Sequence, residues 1–589
     1  MAQAILIFSL GPVQGFIAEA RRVGDLDAGS EVLKRLSKAA GQSIQSNGGT
    51  LIYPAHLGDH VPNKLVARVP RDQVRDLTRA AKEVIDAEWK KCVDQALQFL
   101  TDNGPCLDEH WDAIWERQTS TFWETYWAAA TLEGDYATAY RAASRAFDAT
   151  KRTRVFPQVE EQDVKDSLGG RRSALRTAKL RAAEYWAQVA ASPQVTQAAL
   201  RPEGRERLDA LGAIKRWGGL TRESPSVSHI AAADFLVDAK KHLSTLAVYR
   251  CTAEALLGDH RYTVSNDAAW PYDGDLFFKE TLTEGRLADS YGLNQPQPGL
   301  LETAHKTLVK ILHPAVGFAP SPYYAIIVFD GDGIGKMVSA CRTEEEHRAL
   351  SRTLFDFARQ AQELVEKYHG HAVYVGGDDV LALAPLRQAL LLAQALARCF
   401  RDTVKGGTAS AGIAIAHHLH PLDATLSAAR GAERRAKNVE GKASVCVRVL
   451  RRSGEQVDAR SPWTAMSDCF ETLVAFFRDG ALSSRLAYAV VEAAYALPDP
   501  DEAFEAELKR LLGRHHDPKK WCESETQWAE RLRTWAARLP GQGEEKKEEE
   551  DKGRNVRNPL GSDRRLPSRT EEMGYWLALA RFMAQGGVE

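Results

Sequence analysis

Two apolar runs in the second half of the chain each stop on aspartates. YYAIIVFDGDGIGKMV, residues 323–338, delivers Asp330 and Asp332, and AVYVGGDDVLAL, residues 372–383, delivers Asp378 and Asp379. A short apolar run of this kind reads as a buried strand. Gly376 and Gly377 supply a tight hairpin turn that holds Asp378 and Asp379 opposite Asp330. Four carboxylates crowded at one sheet edge repel one another unless cations share the site. Oxygen donors of this type suit hard divalent cations. Two such ions can clamp a nucleotide triphosphate and the hydroxyl that attacks it. The pattern therefore requires adjacent acid-bearing strands and points to nucleotidyl transfer or cyclisation.

The surrounding order supports a palm. Strand 323–329 leads to a helix near 343–368, then strands 371–376 and 379–384, a helix at 386–401, strand 408–416, a helix at 421–437 and a last strand at 443–450. This βαββαβ order is ferredoxin-like. Asp330, Asp378 and Asp379 are the expected catalytic acids. Asp330 and Asp378 are expected to bridge two metal ions, with Asp379 and Asp332 supporting and the Gly331 carbonyl completing a shell. Gly331 and Gly333, with Gly335, leave the backbone open to phosphates. Gly376 and Gly377 shape the turn. Lys437, beside Arg434 and Arg435, is the first candidate to hold triphosphate, ahead of Lys336 and Lys442. Ser410 is expected to reach a base or phosphate. His417, His418 and His420 invite a metal reading, but strand neighbours splay to opposite faces. His417 or His418 is expected to border the nucleotide pocket or to pack beside the palm.

At 589 residues the chain is too long for one core. Its opening strand, 3–10, is followed by Gly11-Pro12 and a helix carrying Gln14 and Arg21. TLIYP reads as a second strand. Residues 71–100 and 108–150 read as long helices, the latter with Trp111, Trp115, Trp123 and Trp127 at turn spacing, a core stripe. Residues 151–172 look irregular and partly basic. Helices are expected at 173–191, 201–216 and 230–257, then turn-rich chain to 300. Residues 453–538 read as helical, 541–570 as a mobile charged loop, and 571–583 as a helix docking back. The expected divisions are 1–154, a helical middle domain at 155–318, the acid-bearing palm at 319–452 and a helical C-terminal domain at 453–589.

The formal charge of -2 does not suggest a free-standing nucleic-acid coat, although charges can segregate into a local basic channel. Eight cysteines include no CxxC pair, so structural zinc is not expected and a reduced, cytoplasmic setting is. The N-terminus lacks a basic leader, and no apolar stretch approaches ~20 residues, so no membrane partner is expected.

These motifs resemble the large subunit of the type III-B CRISPR effector, the Cmr complex, of the Cas-ten family. FSLGPVQGFIAEARRVGDLDAGSEVL (8–33), the two acid-bearing strands, SAGIAIAHHLHPLDATLSAARGAERRAK (410–437), ERLDALGAIKR (206–216) and SPSVSHIA (224–231) carry the resemblance. It implies an α+β fold with two ferredoxin-like, nucleotide-cyclase-like palms facing each other, the N-terminal one lacking GGDD. It also implies target-RNA-activated synthesis of 3'-5' cyclic oligoadenylate from ATP with two Mg2+ or Mn2+ ions. The implied partners are other Cmr subunits, guide RNA and target RNA, with single-stranded DNA a further candidate. Relatives often begin with an HD nuclease. The palm strand here starts at residue 4, and HHD at 515–517 lacks the spread of ligands, so no HD nuclease activity is expected. The alternatives are a non-catalytic ATP-binding and RNA scaffold, a diguanylate cyclase, or a templated polymerase.

Overall fold

The computed structural model describes residues 2–153, 161–196, 199–220, 224–454, 456–466, 468–541 and 567–587, and ten strands in them form two sheets. In the first, β1 (Gln3–Gly11), β2 (Thr50–Tyr53), β3 (Lys64–Pro70) and β4 (Glu124–Thr131) take the order β2-β3-β1-β4. In the second, β5 (Tyr323–Asp332), β6 (His371–Gly376), β7 (Asp379–Pro385), β8 (Thr408–His417), β9 (Ser444–Leu450) and β10 (Gln456–Pro462) take the order β10-β9-β8-β5-β7-β6. Four strands of each share the ferredoxin-like arrangement, the first strand lying between the third and fourth. The fold is α+β, with two palm-like sheets and extensive helical flanks.

Period-two alternation sorts the side chains of β5. Tyr323, Ala325, Ile327 and Phe329 enter one core, while Tyr324 and Ile326 enter another. Both faces are covered, so the strand reads as a continuous apolar run. The first sheet is flanked by α1 (Val23–Ser46) and α2 (Val74–Asn103) on one side and by α3 (Tyr136–Arg152) on the other. After β5 comes α4 (Ile334–Ala340), then α5 (Glu344–Lys367), begun by a Thr343–Glu346 capping box and three acidic residues that favour a helix N-terminus. With α6 (Leu386–Thr403), α5 covers one face of the second sheet, and α7 (Leu422–Lys437) lies on the other. The C-terminal helix α8 (Arg569–Ala584) is buried against β10 and its neighbours, as the sequence suggests.

The two sheets are joined through α5 and β6. Arg348 donates to the Leu51 carbonyl at 2.9 Å, and the Ala55 amide donates to Ser351 Oγ at 2.8 Å. Arg68 pairs with Glu344, and His371 at the start of β6 pairs with the buried Asp27 of α1. The middle of the chain folds back on the same half: Arg216 bonds both Asp25 and Glu206 in a buried network that also takes in Arg22. Those cations hold the Glu206 carboxyl well below its usual range despite its burial.

Several sequence expectations change. Residues 108–150 are not one helix: a helix at Glu109–Thr119 is followed by β4, then α3. Trp123 and Trp127 therefore leave the supposed helical stripe, although Trp123 still joins Phe16 and Trp89 in the core. The helix-favouring alanines of β4 are overridden by pairing with β1, from Ala4 with Thr131 to Gly11 with Glu124. β3 was not expected. The helices expected at 173–191 and 201–216 shorten to Ala182–Ala190 and Ala210–Trp217. The expected division at 452/453 is also displaced, because β10 continues the palm sheet by pairing with β9. Most of the expected mobile loop 541–570, and Arg154 of the basic KRTR stretch, lie outside the described residues. Among the described residues no helix is long and apolar enough to cross a membrane.

Candidate active site

The register brings the acids together. Asp330 on β5 lies opposite Asp379 on β7 and opposite Ser410 on β8. Gly376 pairs with Asp379, so Gly377 and Asp378 form a two-residue turn. Gly377 has φ +79°, at the position a II′ hairpin reserves for glycine. Gly331 lets the hairpin sit directly against β5. A Cβ there would lie 2.9 Å from Asp378 Cβ and 2.7 Å from Phe400 Cζ, and its amide donates to the Asp378 carbonyl at 3.1 Å.

Charge at this edge is poorly compensated. Burial and the neighbouring Asp330 push the Asp378 carboxyl up to about 6. Asp379 presents a face to solvent, yet the surrounding protein and Asp378 also raise it, and it shares a hydrogen bond with Asp330. Positive charge arrives from α7. That helix lies flush on β8 because residue 412 is glycine, where a Cβ would meet the Glu433 amide nitrogen at 2.1 Å. Its last turn then places the Lys437 ammonium on the Asp330 carboxylate and, at 2.7 Å, on Glu433. Burial works against this ammonium, but its bonds to Asp330 and Glu433 win and hold it above its ordinary value.

Not every expected residue joins this group. Asp332 is drawn inward: Ser410 Oγ donates to it at 2.9 Å, Thr408 Oγ1 at 3.0 Å and the Ala443 amide at 2.9 Å. The four-acid cluster therefore reduces to three acids. Asp332 ties β5 to β8 and to the approach of β9, and Ser410, fully buried, gives its hydroxyl to that tie. Gly333, at φ +70°, begins α4, and Lys336 is exposed on that helix. His417 and His418 close the opposite end of β8, so they pack beside the palm and do not border the acids. His418 bonds Ser228 at 2.8 Å and stacks on Phe278. Gln14 contacts α7 through its carbonyl, which accepts from Arg430 at 3.5 Å.

Two tyrosines at the hairpin escaped sequence reasoning. Tyr374 of β6 folds over Gly376, its hydroxyl 2.0 Å from where a Cβ would stand. Tyr53, from the first sheet, places its hydroxyl 3.3 Å from the corresponding point on Gly377. Nothing local in TLIYP signals a contact with residues so distant in sequence.

Among the described residues, no group of three or more His, Cys, Asp or Glu side chains is already gathered in metal-holding geometry. The donor chemistry nevertheless fits a hard cation. Asp330, Asp378 and Asp379 are oxygen donors on adjoining strand ends, two of them kept from easy ionisation and the third met by an ammonium.

Two family models match the chain: Cas10/Cmr2, second palm domain, over residues 323–446, and CRISPR-associated protein Cmr2, N-terminal, over residues 5–61. CRISPR system Cmr subunit Cmr2 of Pyrococcus furiosus is 30% identical over 229 residues, covering 32% of this chain and 25% of the relative. The match thus spans about a quarter of that curated protein. Type III-B Cmr-beta in its apo state, solved by cryo-electron microscopy, is similar with TM-score 0.67 and 12% identity over 100% of this chain and 82% of the other. Cmr-beta bound to cognate target RNA gives TM-score 0.68 and 13% identity, covering 100% and 83%. At that identity the two structures speak to the fold.

Proposed function

The chain belongs to the Cas10/Cmr2 family, and from that premise we propose that it joins ATP units into cyclic oligoadenylate through 3'-5' bonds. In this reading it acts as the large subunit of a type III-B Cmr complex, in the cytoplasm, with the other Cmr subunits and guide RNA, and target RNA switches it on. The observation that carries the reading is the juxtaposition of Asp330, the Asp378–Asp379 hairpin and Lys437 at one sheet end. Palm-family membership supports a nucleotidyltransferase-like enzyme; the RNA trigger and the product are the finer proposal.

Asp330, Asp378 and Asp379 would hold Mg2+ or Mn2+, which when bound supplies positive charge to triphosphate and to the attacking hydroxyl. The chain's own residues do the rest. Lys437, drawn off Asp330, donates to a phosphate oxygen while Glu433 keeps its ammonium oriented. Gly331 lets Asp378 and the Phe400 ring close against β5, and Gly376 admits the Tyr374 hydroxyl behind the turn. The 3'-hydroxyl of one ATP gives up its proton to water as its oxygen forms a bond to the α-phosphorus of the next and the bond to pyrophosphate breaks. Positioning and charge account for most of such a reaction.

The test is product formation by the assembled guide-loaded complex with ATP, Mg2+ and cognate target RNA, read by mass spectrometry. Cyclic oligoadenylate that requires both target RNA and the intact Asp378 and Asp379 supports the proposal. An assembled, target-bound complex that makes none leaves a scaffold for ATP and RNA; a GTP-derived cyclic product would favour a diguanylate cyclase.

A further inference from the structure

The first sheet contributes a group to the acid hairpin of the second. β2 pairs with β3 in a register that shifts between Leu51 and Tyr53. A bulge of this kind re-aims a side chain. The strand is fixed on both sides of Tyr53 by α5, through Arg348 at the Leu51 carbonyl and Ser351 at the Ala55 amide. The Tyr53 ring stacks on His347 of α5 at 6.2 Å between centroids, and His347 Nδ1 and the Tyr136 hydroxyl of α3 share a hydrogen bond at 2.6 Å. The ring is thus held by three elements before it reaches the turn. Its hydroxyl ends at Gly377, whose positive φ and lack of a side chain admit it. It lies close enough to Asp378 and Asp379 for both charges to act on it.

We propose that Tyr53 is a positioning residue for the acid hairpin: its hydroxyl fixes the Gly377–Asp378 turn against β5, so that Asp378 and Asp379 face Asp330 ready for a divalent cation. The first palm-like sheet, which lacks acids of its own at this point, thereby completes the site of the second. A phenol is suited to the task. Its ring packs among apolar and aromatic neighbours while its polar tip meets the charged turn. The inference rests on the reading of Asp330, Asp378 and Asp379 as cation ligands.

The test uses the full chain and Mn2+ alone, with free Mn2+ read by electron paramagnetic resonance. Wild type is compared with Tyr53→Phe, which keeps the ring and deletes only the hydroxyl, and with Asp378→Asn. The melting temperature of each variant is recorded alongside. Deleting a polar group that packs on the ligand-bearing turn from the neighbouring sheet is expected to weaken Mn2+ binding in Tyr53→Phe about tenfold at an unchanged melting temperature. In the assembled complex, the same variant is expected to lower kcat about tenfold and leave KM for ATP within about twofold. Mn2+ binding that depends on Asp378 but is equal in wild type and Tyr53→Phe overturns the role of Tyr53 and leaves the cation site standing. Wild-type binding no tighter than that of Asp378→Asn overturns the cation reading itself, and the Tyr53 proposal with it.

Discussion

Lys437 donates to the carboxylate of Asp330, so a helix that begins at the far end of the second sheet ends on the acid at its near end. The ammonium supplies Asp330 with the positive charge that a divalent cation would otherwise supply. On the proposed reading Lys437 and a divalent cation would compete for Asp330, while nucleotide phosphate would offer Lys437 another partner. Replacing Lys437 by Met should have opposite effects on two measurements. Without nucleotide, the chain should bind Mn2+ more tightly, because a competitor is gone. With ATP and target RNA, the complex should form product about a hundredfold more slowly, the scale of losing one preorganised donor to developing charge. Mn2+ titration and product quantification check the two arms. Weaker binding together with slower turnover would mean that Lys437 only supports the fold.

Asp332 makes a different prediction from its neighbours. It accepts from Ser410, Thr408 and the Ala443 amide, and it is almost fully buried. Asp332→Ala strands those donors and should cost about 2–4 kcal/mol of stability, with Ser410→Ala nearer 1 kcal/mol. Mn2+ affinity at pH 7.5 should be unchanged under conditions where the variant stays folded. Urea denaturation and Mn2+ titration read the two properties separately. Loss of Mn2+ binding at full stability would return Asp332 to the ligand set.

The second palm was legible because its signals are local. Each acid sits where an apolar run stops, and the hairpin glycines fix which acid faces Asp330. Asp332 could not be told from Asp330 in sequence because alternation puts residues 330 and 332 on the same face, and only the folded sheet shows the Thr408 and Ser410 hydroxyls donating to the second one. The strand β4 was hidden because ETYWAAAT favours a helix locally and becomes a strand only when β1 lies alongside. Tyr53 could not be found from sequence, since its role depends on a bulge in one sheet meeting a turn in another. For the histidines after the SAGIAIA strand, the sequence leaves open a place at the nucleotide pocket or beside the palm, and ten-residue β8 decides it by carrying them to the end opposite the acids.

Stability between the sheets should depend on acidity through His347. Burial, with a smaller contribution from the nearby Lys64 charge, lowers this imidazole from 6.5 to about 4. Its Nδ1 shares a hydrogen bond with the Tyr136 hydroxyl. A base with a lowered folded pKa binds its proton less tightly when folded than when unfolded. Its contribution is therefore complete above 6.5 and is lost as pH falls from 6.5 to about 4. The loss should reach about 3 kcal/mol. His347→Gln should flatten this part of the stability-versus-pH curve. Some slope should remain, because burial also lowers His417 to about 4 and His418 to about 3. Urea midpoints measured between pH 4.5 and 7.5 test the difference.

The C-terminal helix is attached by a charge pair that water does not reach. Arg460 of β10 and Glu572 of α8 are both fully buried; the guanidinium bonds the carboxylate at 2.7 Å, and the Arg460 amide bonds its other oxygen at 2.8 Å. The indole of Trp576 donates to the Arg460 carbonyl at 2.9 Å, so two side chains of one helix hold one residue of the sheet edge. Burial raises the Glu572 carboxyl even with Arg460 beside it, which shows how heavily desolvation opposes the pair. Glu572→Ala leaves the guanidinium buried without its anion and should cost about 3–5 kcal/mol. Replacing both, as Arg460→Met with Glu572→Leu, removes the stranded charge and should recover most of that loss. Denaturant midpoints of the two variants distinguish two roles. Recovery in the double variant makes the pair a selector of where α8 docks; failure to recover makes the ionic bond itself the source of stability at that edge.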